Sequence, residues 1–224
     1  MIEYVCYSYQ QIVTTNVTYS RSYCKEQTKY TFEDFLKIRL VVDFLQNRSN
    51  KLNFKYANEI EPLTFQYETE KEYEQDKFLK SDKIDIFISN LGIQKYWQNM
   101  NNEDLYFAVE CKRLSNKGKS NEYLTDTQKF TDRNYKTFRF PFNGMAGFIE
   151  KLSTSSISQV INDLDNRLLT HQHITSEIKN NKILHDFPMQ DFQYCRVGKH
   201  YHSVTNQKIE VFHIFLNYSN NIVD

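Results

Sequence analysis

Two short stretches hold residues whose chemistry belongs together: Lys83-Ile84-Asp85-Ile86-Phe87-Ile88 and Tyr106-Phe107-Ala108-Val109-Glu110-Cys111-Lys112-Arg113. Each is an apolar run that a sheet interior accepts, interrupted by charge at positions that strand alternation assigns to one face. In the second, Ala108, Glu110 and Lys112 share a face and Phe107, Val109 and Cys111 the other, so a carboxylate and an ammonium become neighbours. In the first, Ile84, Ile86 and Ile88 fall on one face and Lys83, Asp85 and Phe87 on the other. Asp85 and Glu110 are 25 residues apart, enough chain to turn and set the two strands side by side. Two carboxylates with the main-chain carbonyl of Cys111 between them make the hard-oxygen set that Mg²⁺ (or Mn²⁺) prefers, and they leave coordination positions for water and a phosphate. Such an ion screens a phosphodiester and lowers the pKa of a bound water for in-line attack. Lys112 would then orient that water or stabilise the charge developing on phosphorus.

An Asp in one strand followed by Glu-x-Lys in the next resembles the signature of the PD-(D/E)xK phosphodiesterase superfamily, the restriction-endonuclease-like nucleases. Asp85, Glu110 and Lys112 match it, with the apolar flanks usual there. Gly144-Met145-Ala146-Gly147-Phe148 downstream resembles a strand of small stand-alone restriction-like proteins of bacterial and mobile-element defence. The length of 224 residues suggests a single domain, residues 1–224, and the resemblance implies an α/β (α+β) fold, a central mixed β-sheet flanked by helices. It also implies a metal-dependent endonuclease, a hydrolase acting on nucleic acid and on DNA in particular, in restriction or antiviral defence. An acidic residue of the first helix often joins such a metal site, which here leaves Glu33 and Asp43 as alternatives. The Pro that usually precedes the Asp is replaced by Lys83-Ile84. Members that cut both strands commonly pair up, so a homodimer or a place in a larger defence complex is expected. One rival on the same fold is a non-catalytic or partner-dependent binding and assembly subunit, and a second is a phosphodiesterase acting on RNA or a nucleotide signal.

Plainer accounts exist for the same residues. Glu110 and Lys112 fit a solvated strand end with a surface pair worth about 0–1 kcal/mol. Glu33 and Lys37 are an (i, i+4) pair near a helix start, and Asp43 has Arg39 as a partner four residues back. Glu68 and Glu70 flank a strand and belong to an acidic face or to the surroundings of a metal. Arg113, Lys117, Lys119, Lys129, Arg133, Lys136 and Arg139 follow the Glu-x-Lys strand, interleaved with Tyr123, Phe130 and Tyr135. They make either a phosphate-contacting surface or a solubilising one. His171, His173, His200 and His202 lack a Cys or carboxylate at zinc-ligand spacing. Cys111 points into the core and is no nucleophile.

The bulk composition is compatible with these readings. The chain has 224 residues, with 16 Tyr and 17 Phe against 5 Gly and 3 Pro, which excludes a disordered polymer and points to an aromatic core. Lys plus Arg equals Asp plus Glu at 28 each, so a nucleic-acid partner would have to be met by a local patch. The N-terminus MIEYVCYSYQQIVTT lacks a signal-peptide pattern and no long apolar run follows, so a cytoplasmic protein with no membrane partner is expected. Cys6, Cys24, Cys111 and Cys195 are scattered and are expected to be free thiols.

The elements that must position the site follow from periodicity. IEYVCYSY and QIVTTNVTY read as strands from their β-branched and Tyr content. Thr31 caps a helix with Asp34 three residues on, and Phe32, Phe35, Ile38, Val42 and Leu45 continue at helical spacing. LTFQYETE, KIDIFIS and YFAVECKRL are strands, with a connection through Trp97 between the last two. SNKGKSNEY reads as a loop, TDTQKFTDRNYKTF as a short helix and turn, and NGMAGFIEK as a strand. STSSISQVINDLDNRLLTH is an amphipathic helix, and FQYCRVGKHYHSV and KIEVFHIFLNY are strands around Thr205-Asn206.

Overall fold

The computed structural model describes residues 1–75, 78–90, 106–114, 117–135, 142–152 and 156–224. The N-terminal part is helical: α1 (Ile2–Thr14), α2 (Arg21–Gln27) after the two-residue strand β1 (Tyr19–Ser20), α3 (Phe32–Arg39) continued by a π-helical turn at Leu40–Leu45, α4 (Arg48–Asn53) and α5 (Ala57–Ile60). Strands β2 (Leu63–Gln75), β3 (Phe78–Asn90) and β4 (Tyr106–Arg113) come next, followed by α6 (Lys117–Asp132), β5 (Asn134–Tyr135), β6 (Phe142–Ile149) and α7 (Ile157–Leu169). The chain finishes with β7 (His185–Asp186), β8 (Cys195–Tyr201), β9 (Lys208–Asn217) and β10 (Ile222–Val223).

Eight strands form one mixed sheet in the order β5-β2-β3-β4-β6-β9-β8-β7, and β1 pairs separately with β10. Strand β4 is antiparallel to β3 and parallel to β6, which is itself parallel to β9. Helices cover both faces, as a sheet apolar on both sides requires. One core holds Val5 and Ile12 of α1 with Leu36 and Leu40, against Ile86, Ile88, Phe107, Val109 and Cys111. The other holds Tyr123, Leu124 and Phe130 of α6 with Ile161, Leu164 and Leu168 of α7, against Phe87, Tyr106, Ala108 and Met145. The alternation expected for β4 is therefore present, with Phe107, Val109 and Cys111 on one face and Tyr106 and Ala108 on the other. Gly144 and Gly147 let β6 lie close: a Cβ at Gly147 would stand 2.5 Å from Leu114 Cδ1, and one at Gly144 2.9 Å from Val109 Cγ2.

Thr31 caps α3 as expected, its hydroxyl accepting from Asp34 N–H. Ser156 does the same for α7. Two readings are corrected. The stretch IEYVCYSYQQIVT is helix α1, because Ile2, Val5, Cys6, Tyr9 and Ile12 bury one helical face. Each such burial is worth about 1.5–3 kcal/mol, more than the ~0.7 kcal/mol by which a β-branched residue disfavours a helix. The expected loop SNKGKSNEY is largely the first turns of α6, which starts at Lys117. The connection around Trp97, and Lys136 and Arg139, lie outside the described residues.

Strand β3 departs from its expected pattern at one point. Ile86 and Ile88 face the α1 side, yet Ile84 packs with Phe87 on the α6 side. The alternation breaks at Asp85, opposite Glu68 of β2, which has a left-handed φ of 53°. It is also where β3 and β4 stop pairing, the last pair being Ile86↔Val109.

Candidate active site

Continuing that register by one step sets Asp85 against Glu110, so the strands open at the two carboxylates. The main-chain N–H of Cys111, freed from the ladder, donates instead to Asp85 Oδ2 at 2.8 Å. Burial pushes the Glu110 carboxyl well above the usual range, and the charges of Asp85, within hydrogen-bonding reach, and of Asp126 push it the same way. Cys111 is fully buried and burial raises its thiol, which leaves it an inert part of the core.

Helix α3 supplies a second layer. Glu33 and Lys37 are one helical turn apart, but they do not pair with one another. Glu33 Oε1 accepts from Lys112 Nζ at 3.0 Å and Oε2 from the Arg113 main-chain N–H at 2.9 Å. Lys37 Nζ donates to Asp85 Oδ1 at 2.8 Å and to Asp34 Oδ1 at 2.9 Å, and reaches Glu68 Oε1 at 3.4 Å. Burial works against the Lys37 ammonium, but the charge and hydrogen bond of Asp85, with Asp34, outweigh it and raise its pKa. Asp43 lies away from this group, 3.6 Å from Arg39 in the (i, i+4) pair expected of it.

Helix α6 closes the other side. Asp126, buried at 3% exposure, places Oδ2 3.2 Å from Lys112 Nζ without hydrogen-bond alignment, and Oδ1 on Lys129. Lys112 is thus held between carboxylates from two helices. Burial opposes its charge, and Asp126, Glu33 and Asp85 outweigh that and raise its pKa.

Sequence reasoning did not assign Lys37 or Asp126 to the site. A signal existed for Asp126, which lies on the buried stripe of α6 with Tyr123, Thr127 and Phe130, where a carboxylate has a reason to be. The (i, i+4) spacing points Lys37 at Glu33, and only the packing of α3 on the sheet, beside β4, redirects it to Asp85.

The basic residues after β4 are largely engaged. Arg113 grips buried Glu150 through Nε and, at 2.7 Å, Nη2, and Arg21 holds the same carboxylate at 2.6 Å. Lys129 pairs with Asp126, and Arg133 with Asp82, its guanidinium 4.4 Å over the Tyr73 ring. The side chains of Lys117 and Lys119 lie outside the described residues. The histidines form hydrogen bonds of their own: His200 Nδ1 with Ser176, His202 Nδ1 with the N–H groups of Val204 and Thr205, and His213 Nδ1 with Tyr123. The four cysteines are free and buried.

Among the described residues no three His, Cys, Asp or Glu side chains form a ready metal cage, and no helix is long and apolar enough to cross a membrane. What would suit a hard cation is the facing pair Asp85 and Glu110, an all-oxygen donor set in which burial and the charges of Asp85 and Asp126 act against an isolated Glu110 carboxylate. Compared with known proteins, the chain matches no family model, no curated protein and no solved structure.

Proposed function

We propose that the chain is a Mg²⁺-dependent nuclease of the restriction-endonuclease-like class that hydrolyses phosphodiester bonds of DNA, in restriction or antiviral defence. The observation that carries this is the opening of β3 from β4 at Asp85 and Glu110, with Lys112 held beside them by Glu33 and Asp126. Asp85, Glu110 and the carbonyl of Cys111 would hold the ion. Bound there, Mg²⁺ or Mn²⁺ supplies positive charge for the phosphodiester and acidifies a water. Glu33 accepts from Lys112 and from the Arg113 backbone and so orients both. Lys112, its ammonium fixed from two sides, offers charge to the phosphoryl oxygens, where a preorganised cation counts most in the transition state.

A partner-dependent reading on the same fold has one observation in its favour. Arg113, Lys129 and Arg133 are each paired with an internal carboxylate, so this stretch makes a weaker phosphate-binding face than its sequence implies. A second copy or a larger complex would then present the nucleic acid. Purified protein is expected to cleave DNA with Mg²⁺ and to stop on addition of EDTA. Glu110→Ala and Lys112→Ala should abolish cleavage while the circular dichroism spectrum is retained. Full cleavage by Glu110→Ala rules the mechanism out, and absence of cleavage on both DNA and RNA favours the partner-dependent subunit.

A further inference from the structure

Taking the nuclease reading as its basis, we propose that Lys37 is a built-in cation that fills the outer half of this acidic cluster and limits the site to a single divalent ion, between Asp85 and Glu110. Four carboxylates gather at the opened end of the sheet, from Asp34, Glu68, Asp85 and Glu110, and they are divided unequally. Lys37 Nζ touches the first three, at 2.9, 3.4 and 2.8 Å. Its side chain is 3% exposed, so the ammonium is a fixed part of the interior. Among the described residues no lysine ammonium forms an ion pair with Glu110: Lys112 is engaged by Glu33 and Asp126 instead.

The two oxygens of Asp85 face different partners. Oδ2 takes the Cys111 N–H on the β4 side, and Oδ1 takes Lys37 on the α3 side. A two-ion centre needs a carboxylate that bridges ions about 3.5–4 Å apart. Asp85 is the residue placed to bridge, and an ammonium at 2.8 Å already stands on its outer oxygen. A magnesium ion would need to approach that oxygen to about 2.0–2.1 Å from the same direction, against the like charge of the lysine. Removing the ammonium exposes the three outer carboxylates, a set with enough charge and oxygen to hold a divalent ion itself.

The test is a Mn²⁺ titration of the full chain without nucleic acid, followed by electron paramagnetic resonance and calorimetry, with circular dichroism to confirm folding. Wild type and Lys37→Arg are expected to bind one ion without spin coupling, and Lys37→Met one more ion than wild type. An exchange-coupled Mn²⁺ pair in wild type overturns the inference while leaving the proposed metal site intact. Equal counts for wild type and Lys37→Met also overturn it. No ion in wild type overturns the inference and counts against the proposed metal site as well, whatever Lys37→Met binds. Should Lys37→Met fail to fold, the wild-type count decides: one uncoupled ion supports the inference, and any other count overturns it.

Discussion

Lowering the pH from about 7 to about 5 should destabilise this protein through a residue remote from the carboxylates. His200 is fully buried on β8, and burial pushes its pKa down from 6.5 to about 4. In the unfolded chain the imidazole takes a proton as pH falls through 6.5, whereas in the folded chain it stays neutral until about 4. The unfolded state therefore binds more protons in this window, and stability falls with pH from 6.5 towards 4 and levels off below. The full gap of about 2.5 units corresponds to about 3 kcal/mol, of which about 2 kcal/mol is already lost at about pH 5. That is a sizeable part of a typical stability of about 5–15 kcal/mol. His213, its ring centroid 6.1 Å away, is pushed well below the usual range by burial and then by His200, and acts in the same direction. The assay is urea unfolding at about pH 7 and pH 5 for wild type and His200→Gln, whose amide can keep a bond to Ser176 but does not titrate. The variant should be less stable at pH 7, yet its loss on going to pH 5 should be smaller by about 2 kcal/mol. An equal loss in both proteins refutes the assignment.

Other consequences can be checked independently. Glu110 has its pKa raised in the folded state, so its contribution is complete below the ordinary carboxylate pKa and is lost as pH rises. Glu110→Gln should therefore raise the thermal midpoint at neutral pH in EDTA while abolishing cleavage. Gly147→Ala sets a methyl against Leu114 beyond the end of β4, so denaturant unfolding should report a loss of about 1–3 kcal/mol. Glu150→Ala removes the buried carboxylate shared by Arg113 and Arg21; because both guanidiniums are partly exposed and can rehydrate, a loss of about 2 kcal/mol is expected in the same assay.

The two strands that define the site are legible in the sequence because the information is local. In YFAVECKRL the alternation of side chains places Glu110 and Lys112 on one face whatever β4 packs against. The Thr31 cap, the stripe of α7 and the hairpin at Thr205-Asn206 are likewise written in neighbouring residues. Helix α1 is not legible in the sequence because Ile, Val and Tyr have strand propensity, and only the presence of a sheet face to cover makes their helical spacing decisive. The strand order, with β4 between an antiparallel β3 and a parallel β6, is set by crossovers too long for any local pattern.

Pairing between charges is where tertiary structure overrode the sequence. Glu33 and Lys37 satisfy the (i, i+4) rule, yet burying the α3 face against the sheet takes both groups out of water, and each must then find the nearest compensating charge or N–H. Glu33 reaches Lys112 and the Arg113 backbone; Lys37 reaches Asp85. Asp126, 41 residues beyond Asp85 in sequence, joins through the packing of α6 on the opposite side of β4. The sequence by itself determined Asp85, Glu110 and Lys112 as the candidate residues and the face of β4 that Glu110 and Lys112 share, but neither the break in β3 at Asp85 nor the part of Lys37 and Asp126. Only the tertiary structure decided which charges neutralise one another, because that depends on distances between elements far apart in the chain and on which of them lose their water.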